Sequence, residues 1–150
     1  MIQKYIIDGN NLIGKIKDLW NLQNSDKQMS RVKLVKMLDE YFSQKKVKVS
    51  LHFDGFETDK IPSISSKIHY SNNKTADSKI KKEIDHSKNP KVIAVVSSDH
   101  SVMQYAKVNS CTVLKSEEFA RNLKKRKKGN SEEEIAKSIS NDEIIKLFLE

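Results

Sequence analysis

The stretch KVIAVVSSD, residues 91–99, decides the fold. Val92 to Val96 are apolar without interruption, the pattern of a strand covered on both faces at the centre of a parallel sheet. Two serines follow, and then Asp99. Outward from it, residues 2–7 form another short, β-branched apolar run. In VKVSLHFDG, residues 47–55, Val47, Val49, Leu51 and Phe53 alternate with polar residues up to Asp54. SKIHYS (66–71) and CTVLK (111–115) read as shorter strands.

Helices separate these strands. Val32, Leu34, Val35, Leu38, Tyr41 and Phe42 recur at helical spacing, and Ser30 reads as their N-cap. Asn73 or Thr75 caps a helix carrying Ile80 and Ile84, which Asn89-Pro90 breaks. A helix from about His100 to Lys107 turns Val102, Met103 and Ala106 inward. Another starts at Ser116–Glu118, runs to about Lys127 and stops at Gly129-Asn130. Two more are expected beyond it, one with Ser131 and Glu134 at capping-box spacing, one in NDEIIKLFLE. Strands alternating with helices imply right-handed βαβ units. The fold class is α/β, a mostly parallel sheet of about four or five strands with helices on both faces. The reading divides the chain into a domain over 1–128 and a C-terminal helical extension over 129–150.

The chain has 150 residues, 37% hydrophobic and 32% charged, enough for one core under a heavily charged surface. No apolar run approaches the length that spans a bilayer, and the N-terminus lacks the apolar region of a secretion signal. Cys111 is the single cysteine and has no partner within the chain. These features fit a reducing cytoplasm and no membrane partner. A net charge of +8 draws polyanions such as nucleic acid.

Three strands end in aspartate: IIDG, HFDG and VVSSD. Parallel strands place their C-terminal ends on one edge of the sheet, where open α/β folds build their sites. Asp8, Asp54 and Asp99 therefore share one cleft, and Asp77, in the first turn of the next helix, is the fourth candidate. Clustered carboxylates repel one another unless protons or a cation neutralise them. Mg²⁺ and Mn²⁺ take such oxygens, whereas no histidine or cysteine follows zinc spacing. Acids, a basic surface and a divalent ion together describe phosphodiester hydrolysis, with Asp8, Asp54, Asp77 and Asp99 as catalytic residues. Taken singly, each aspartate is also a good helix or turn cap; Asp77 suits a helix N-terminus and Asp54 an Asp-Gly turn.

Further residues carry two readings each. Asn10 and Asn11 orient a phosphate or water, or cap the next helix; Gly9 serves the backbone. Ser97 and Ser98 present hydroxyls at the proposed site, or cap a helix. His100 bonds phosphate or lies on the surface. Lys74 approaches the scissile strand or is solvated. Lys124, Lys125 and Arg126, within KKRKK, form an RNA clamp or a solvated helix end. Trp20, Tyr70 and Phe56 are candidates for base stacking, with core packing the alternative for Trp20.

YIIDGNNLIGK, SRVKLVKMLDEYF, VSLHFDG, KTADSKI, VVSSDHSVMQYA and LKSEEFARNL resemble, in order, the segments of the NYN domain, in particular its YacP-like branch, related to PIN-domain nucleases. The likeness runs from about Ile2 to Leu123, and no match is visible from about Gly129 onward. It implies a PIN-like three-layer α/β/α fold and a Mg²⁺- or Mn²⁺-dependent endoribonuclease acting on RNA, in a ribosome-associated setting. Carried onto this chain, it implies Asp8, Asp77 and Asp99 as metal ligands, with Asp54 in the central Phe-Asp segment and Asn11 as the motif's amide. Phe56 departs from the residue expected after that segment. The competing expectation is an RNA- or ribosome-binding module that does not cut. A nucleotide-binding domain ranks below both, since neither a P-loop nor Gly-x-Gly-x-x-Gly is present.

Overall fold

In the computed structural model, which describes residues 1–125, five strands form one parallel sheet. β1 (Lys4–Asp8) leads directly into α1 (Gly9–Ile13), then α2 (Lys17–Ser25) and α3 (Lys27–Phe42). β2 (Lys48–Phe53) and β3 (Ser66–Tyr70) precede α4 (Ala76–Asp85). After a short 3-10 turn come β4 (Ile93–Val96), α5 (His100–Val108) and β5 (Thr112–Leu114). A last helix, α6, is described over 116–125. The sheet order is β3-β2-β1-β4-β5. This is the expected α/β architecture, with five strands, all parallel.

Neighbouring residues along a strand face opposite sides of the sheet. Ile6 joins a core with Ile80, Ile84, Val102 and Ala106, beneath α4 and α5. Ile7 joins the other core, with Leu12, Leu34, Leu38 and Phe119, beneath α1, α3 and α6. Val95 and Val96 divide in the same way. A strand buried on both faces must be apolar throughout, which is why VIAVV reads as it does. At the bottom of the second core, Phe119 of α6 packs on Tyr41 and Phe42 of α3, with ring centroids 5.2 and 6.2 Å apart.

Two sequence expectations are corrected. α3 starts at Lys27, because Asp26 accepts the Met29 N–H at 3.0 Å and caps it. Ser30 is instead a buried helical residue whose hydroxyl donates to the Leu19 carbonyl at 3.0 Å. Trp20 is half exposed rather than a core residue. Thr75 is the cap of α4, accepting from Ser78 N–H at 3.1 Å. The two helices expected in 131–150 lie outside the described residues.

Candidate active site

The all-parallel sheet sends every strand's C-terminal end to one edge. Asp8 is the last residue of β1, Asp54 follows β2, and Asp99 begins α5 after β4. β1 lies between β2 and β4, so Asp8 is flanked by the other two. Asp8 is buried, and the Ser97 hydroxyl donates to its Oδ2 at 2.9 Å. Burial pushes its pKa up to about 6; the Ser97 hydrogen bond opposes this, and the charges of Asp54 and Asp99 add to it. Asp8 therefore feels the charges of both neighbouring aspartates. Asp54 and Asp99 each spend one oxygen on a helix start: Ala76 N–H donates to Asp54 Oδ1 at 2.9 Å and Val102 N–H to Asp99 Oδ1 at 3.0 Å. Asp77 is ion-paired with Lys81 at 2.9 Å. Lys81 in turn donates to Ser101 in the first turn of α5. Among the described residues, no three aspartates bring ligand oxygens within 4.8 Å of one another.

The two asparagines after Asp8 explain themselves here. Asn10 Oδ1 accepts the main-chain N–H of Asp54 at 2.8 Å. Asn11 Oδ1 accepts the Ser98 N–H at 2.8 Å and the Ser116 hydroxyl at 2.7 Å. One amide thus holds the loop bearing Asp54, and the other holds the loop leading to Asp99 and the start of α6. Gly9 is required by close approach: a Cβ there would lie 2.6 Å from the His52 carbonyl oxygen and 2.8 Å from the Phe53 ring.

Arg31 was not legible as a site residue, because an arginine on a helix reads as solvent-facing. It is buried, and its guanidinium lies 5.2 Å from the Phe53 and Tyr70 ring centroids. It donates to the carbonyls of Asp54 at 2.6 Å and Phe56 at 3.0 Å. The turn between them uses Gly55 at φ +85°, braced by the Ser71 hydroxyl at 2.9 Å. Glu117 was likewise missed. It accepts from the Ser98 hydroxyl at 2.7 Å and lies 3.8 Å from Lys15. The Ser98 bond draws its pKa below the ordinary carboxylate range.

Ser97 and Ser98 thus sit in the cleft's hydrogen-bond network. His100 is exposed at the start of α5, and Lys74 is exposed in the turn after β3, on the same edge. Lys124 and Lys125 are exposed on α6; Arg126 lies outside the described residues. Phe56 is exposed beside Asp54, while Tyr70 is half-buried against Arg31. The groups bonded to or acting on Asp8 offer oxygens, the set a hard cation takes, and its raised pKa comes first from burial, with the charges of Asp54 and Asp99 adding to it.

No helix among the described residues is long and apolar enough to cross a membrane. No curated protein sequence matches the chain. Solved structures share its fold, among them two of one protein. The crystal structure of Rae1 (YacP) from Bacillus subtilis, W164L mutant, aligns with TM-score 0.76 at 21% identity, covering 99% of this chain and 91% of that one. A second Rae1 (YacP) crystal structure from the same organism aligns with TM-score 0.76 at 23% identity, covering 91% and 81%. The model of the YacP-like NYN domain matches residues 5–148, well past the Leu123 limit of the likeness seen in the sequence. The match takes in nearly the whole chain, and with it the chain belongs to the YacP-like NYN domain family, PIN-like domains of nuclease type.

Proposed function

We propose that the chain is a Mg²⁺- or Mn²⁺-dependent endoribonuclease. The observation that carries this reading is Asp8, buried at the centre of the sheet edge with its pKa raised by burial and by Asp54 and Asp99. Such a carboxylate is held ready for a cation. Asp8 and Asp99, with Asp54, are the residues that would hold it. Mg²⁺ binds through one or two carboxylates and keeps several waters, so three oxygens in direct contact are not required. When bound, the ion polarises the phosphoryl oxygen and lowers the pKa of a water to yield the attacking hydroxide. Ser97 fixes the Asp8 carboxylate, Asn10 and Arg31 fix the Asp54 loop, and Asn11 fixes the approach to Asp99. Asp77, ion-paired with Lys81 in the first turn of α4, serves to orient water or complete the ligand set. Lys74, Lys124 and Lys125 draw the RNA backbone, with Arg126 completing the run. His100 and Phe56, both exposed, are assigned to phosphate and base. The family resemblance points to mRNA in a ribosome-associated, cytoplasmic setting.

The test is cleavage of RNA with Mn²⁺, with and without EDTA, by the parent and Asp99→Asn. Expected are products with 5′-phosphate ends, lost on chelation and in the variant. Metal-independent cutting, or full activity in Asp99→Asn, overturns the reading. One observation favours the alternative, an RNA- or ribosome-binding module: Asp54 and Asp99 each already accept a main-chain N–H at a helix start, and among the described residues no three aspartates bring oxygens within 4.8 Å of one another. On that alternative the parent binds RNA without cutting it, and Asp8→Asn changes nothing.

A further inference from the structure

We propose that His52, His69 and Glu83 form a second cation site, distinct from the aspartate cleft, that takes a borderline transition metal of the zinc class. His52 of β2 and His69 of β3 are register partners, so their rings stand side by side on one face of the sheet. The centroids are 4.6 Å apart and the planes 13° from parallel. Glu83 reaches over from α4, its Oε1 lying 2.7 Å from His52 Nε2. A ring nitrogen of each histidine and a Glu83 oxygen all lie within 4.8 Å of one another, and among the described residues no other group of three such side chains does so.

Three features point to a metal. First, His69 Nε2 is buried without a hydrogen-bond partner, which is costly unless something unseen by the polypeptide occupies it. Second, two imidazoles and one carboxylate are the donor set of zinc sites that keep an open fourth position, whereas Mg²⁺ prefers oxygens. Third, Glu83 is oriented from behind: its Oε2 accepts from Ser50 at 2.7 Å and from Lys4 at 2.6 Å.

The trio opens into a pocket of about 450 Å³ also lined by Lys67, Lys79 and Lys82. These cations oppose a bare metal ion but favour an anionic ligand, hydroxide or phosphate, on its open position. The site's effect follows from where its residues come from. β3 is an edge strand, paired only with β2. A metal held by His69, His52 and Glu83 staples that edge to α4.

The experiment uses the full chain, stripped with EDTA, dialysed and titrated with Co²⁺, whose visible absorption is intense only in a four-coordinate site. Expected is a visible band displaced by Zn²⁺, present in Asp8→Asn and lost in His69→Gln and Glu83→Gln. Zn²⁺ should raise Tm in the parent and in Asp8→Asn, but not in His69→Gln. A readout on the parent alone guards against a misfolded variant: ring nitrogen NMR signals of His52 and His69 should move on adding Zn²⁺, while that of His100, outside the pocket, stays. No visible band, a band lost in Asp8→Asn but kept in His69→Gln, or unmoved His52 and His69 signals would overturn the proposal. So would a Tm rise produced by inorganic phosphate with no response to Co²⁺ or Zn²⁺, which would make the pocket an anion site. Because none of these readouts measures cleavage, failure here leaves the nuclease reading standing, and the reverse.

Discussion

Asp8 illustrates how a residue can be placed against its own interest. Its folded pKa of about 6 lies above the ordinary carboxylate value of 3.8. A group with a raised folded pKa contributes stability that is fully present below its unfolded pKa and is lost as pH rises through the folded one. The charged carboxylate therefore costs stability above pH 6. Asp8→Asn, measured by denaturant unfolding without divalent ions, should be more stable than the parent at pH 8 by about 1–3 kcal/mol, the gap closing towards pH 4. The same variant should lose cleavage. In the parent, the Mn²⁺ concentration needed for half-maximal activity should rise as pH falls below 6, because protons compete for the same oxygens. Arg31 acts on the neighbouring acid through the backbone. Arg31→Met keeps the bulk but drops both carbonyl contacts, so the Asp54 turn loses its brace. Far-UV circular dichroism should be unchanged while kcat/KM falls on the order of tenfold.

At the scale of elements, the junction between β1 and α1 has no slack. Gly9→Ala would drive a methyl into the main-chain oxygen of His52, which no rotamer change relieves. We expect a destabilisation of about 1–3 kcal/mol, read as a fall in Tm and in denaturation midpoint. This junction also shows what the sequence discloses. The aspartates were legible because strand direction is legible: once VIAVV marks a parallel sheet, every strand end falls on one edge. α1 was not, since GNNLI is too short to display a helical period. The start of α3 was misplaced because QNSDKQMS offers several capping side chains, and only burial decides that Ser30 faces Leu19 while Asp26 caps. Arg31 and Glu117 escaped because a charged residue on a helix is ordinarily solvated. The His52–His69 pairing needs the β2–β3 register, which spacing along the chain does not supply.

For the whole molecule, the relevant quantity is the charge of +8. On the proposed function, it governs how strongly RNA is gathered, not where it is cut. RNA affinity of a metal-free Asp8→Asn protein should fall steeply with salt. Replacing Lys124 and Lys125 together by glutamate should make the log–log slope shallower by about 1–2 while leaving Tm within a degree or so of the parent. A slope unchanged by that double substitution would place the RNA track elsewhere on the surface.

The Asn11 side chain joins partners 87 and 105 positions downstream. During synthesis that amide emerges early and must wait, unpaired, until almost the entire described region has been translated. A chain ending before residue 98 therefore carries its first acid while the Asn11 amide lacks both of the partners that fix it here.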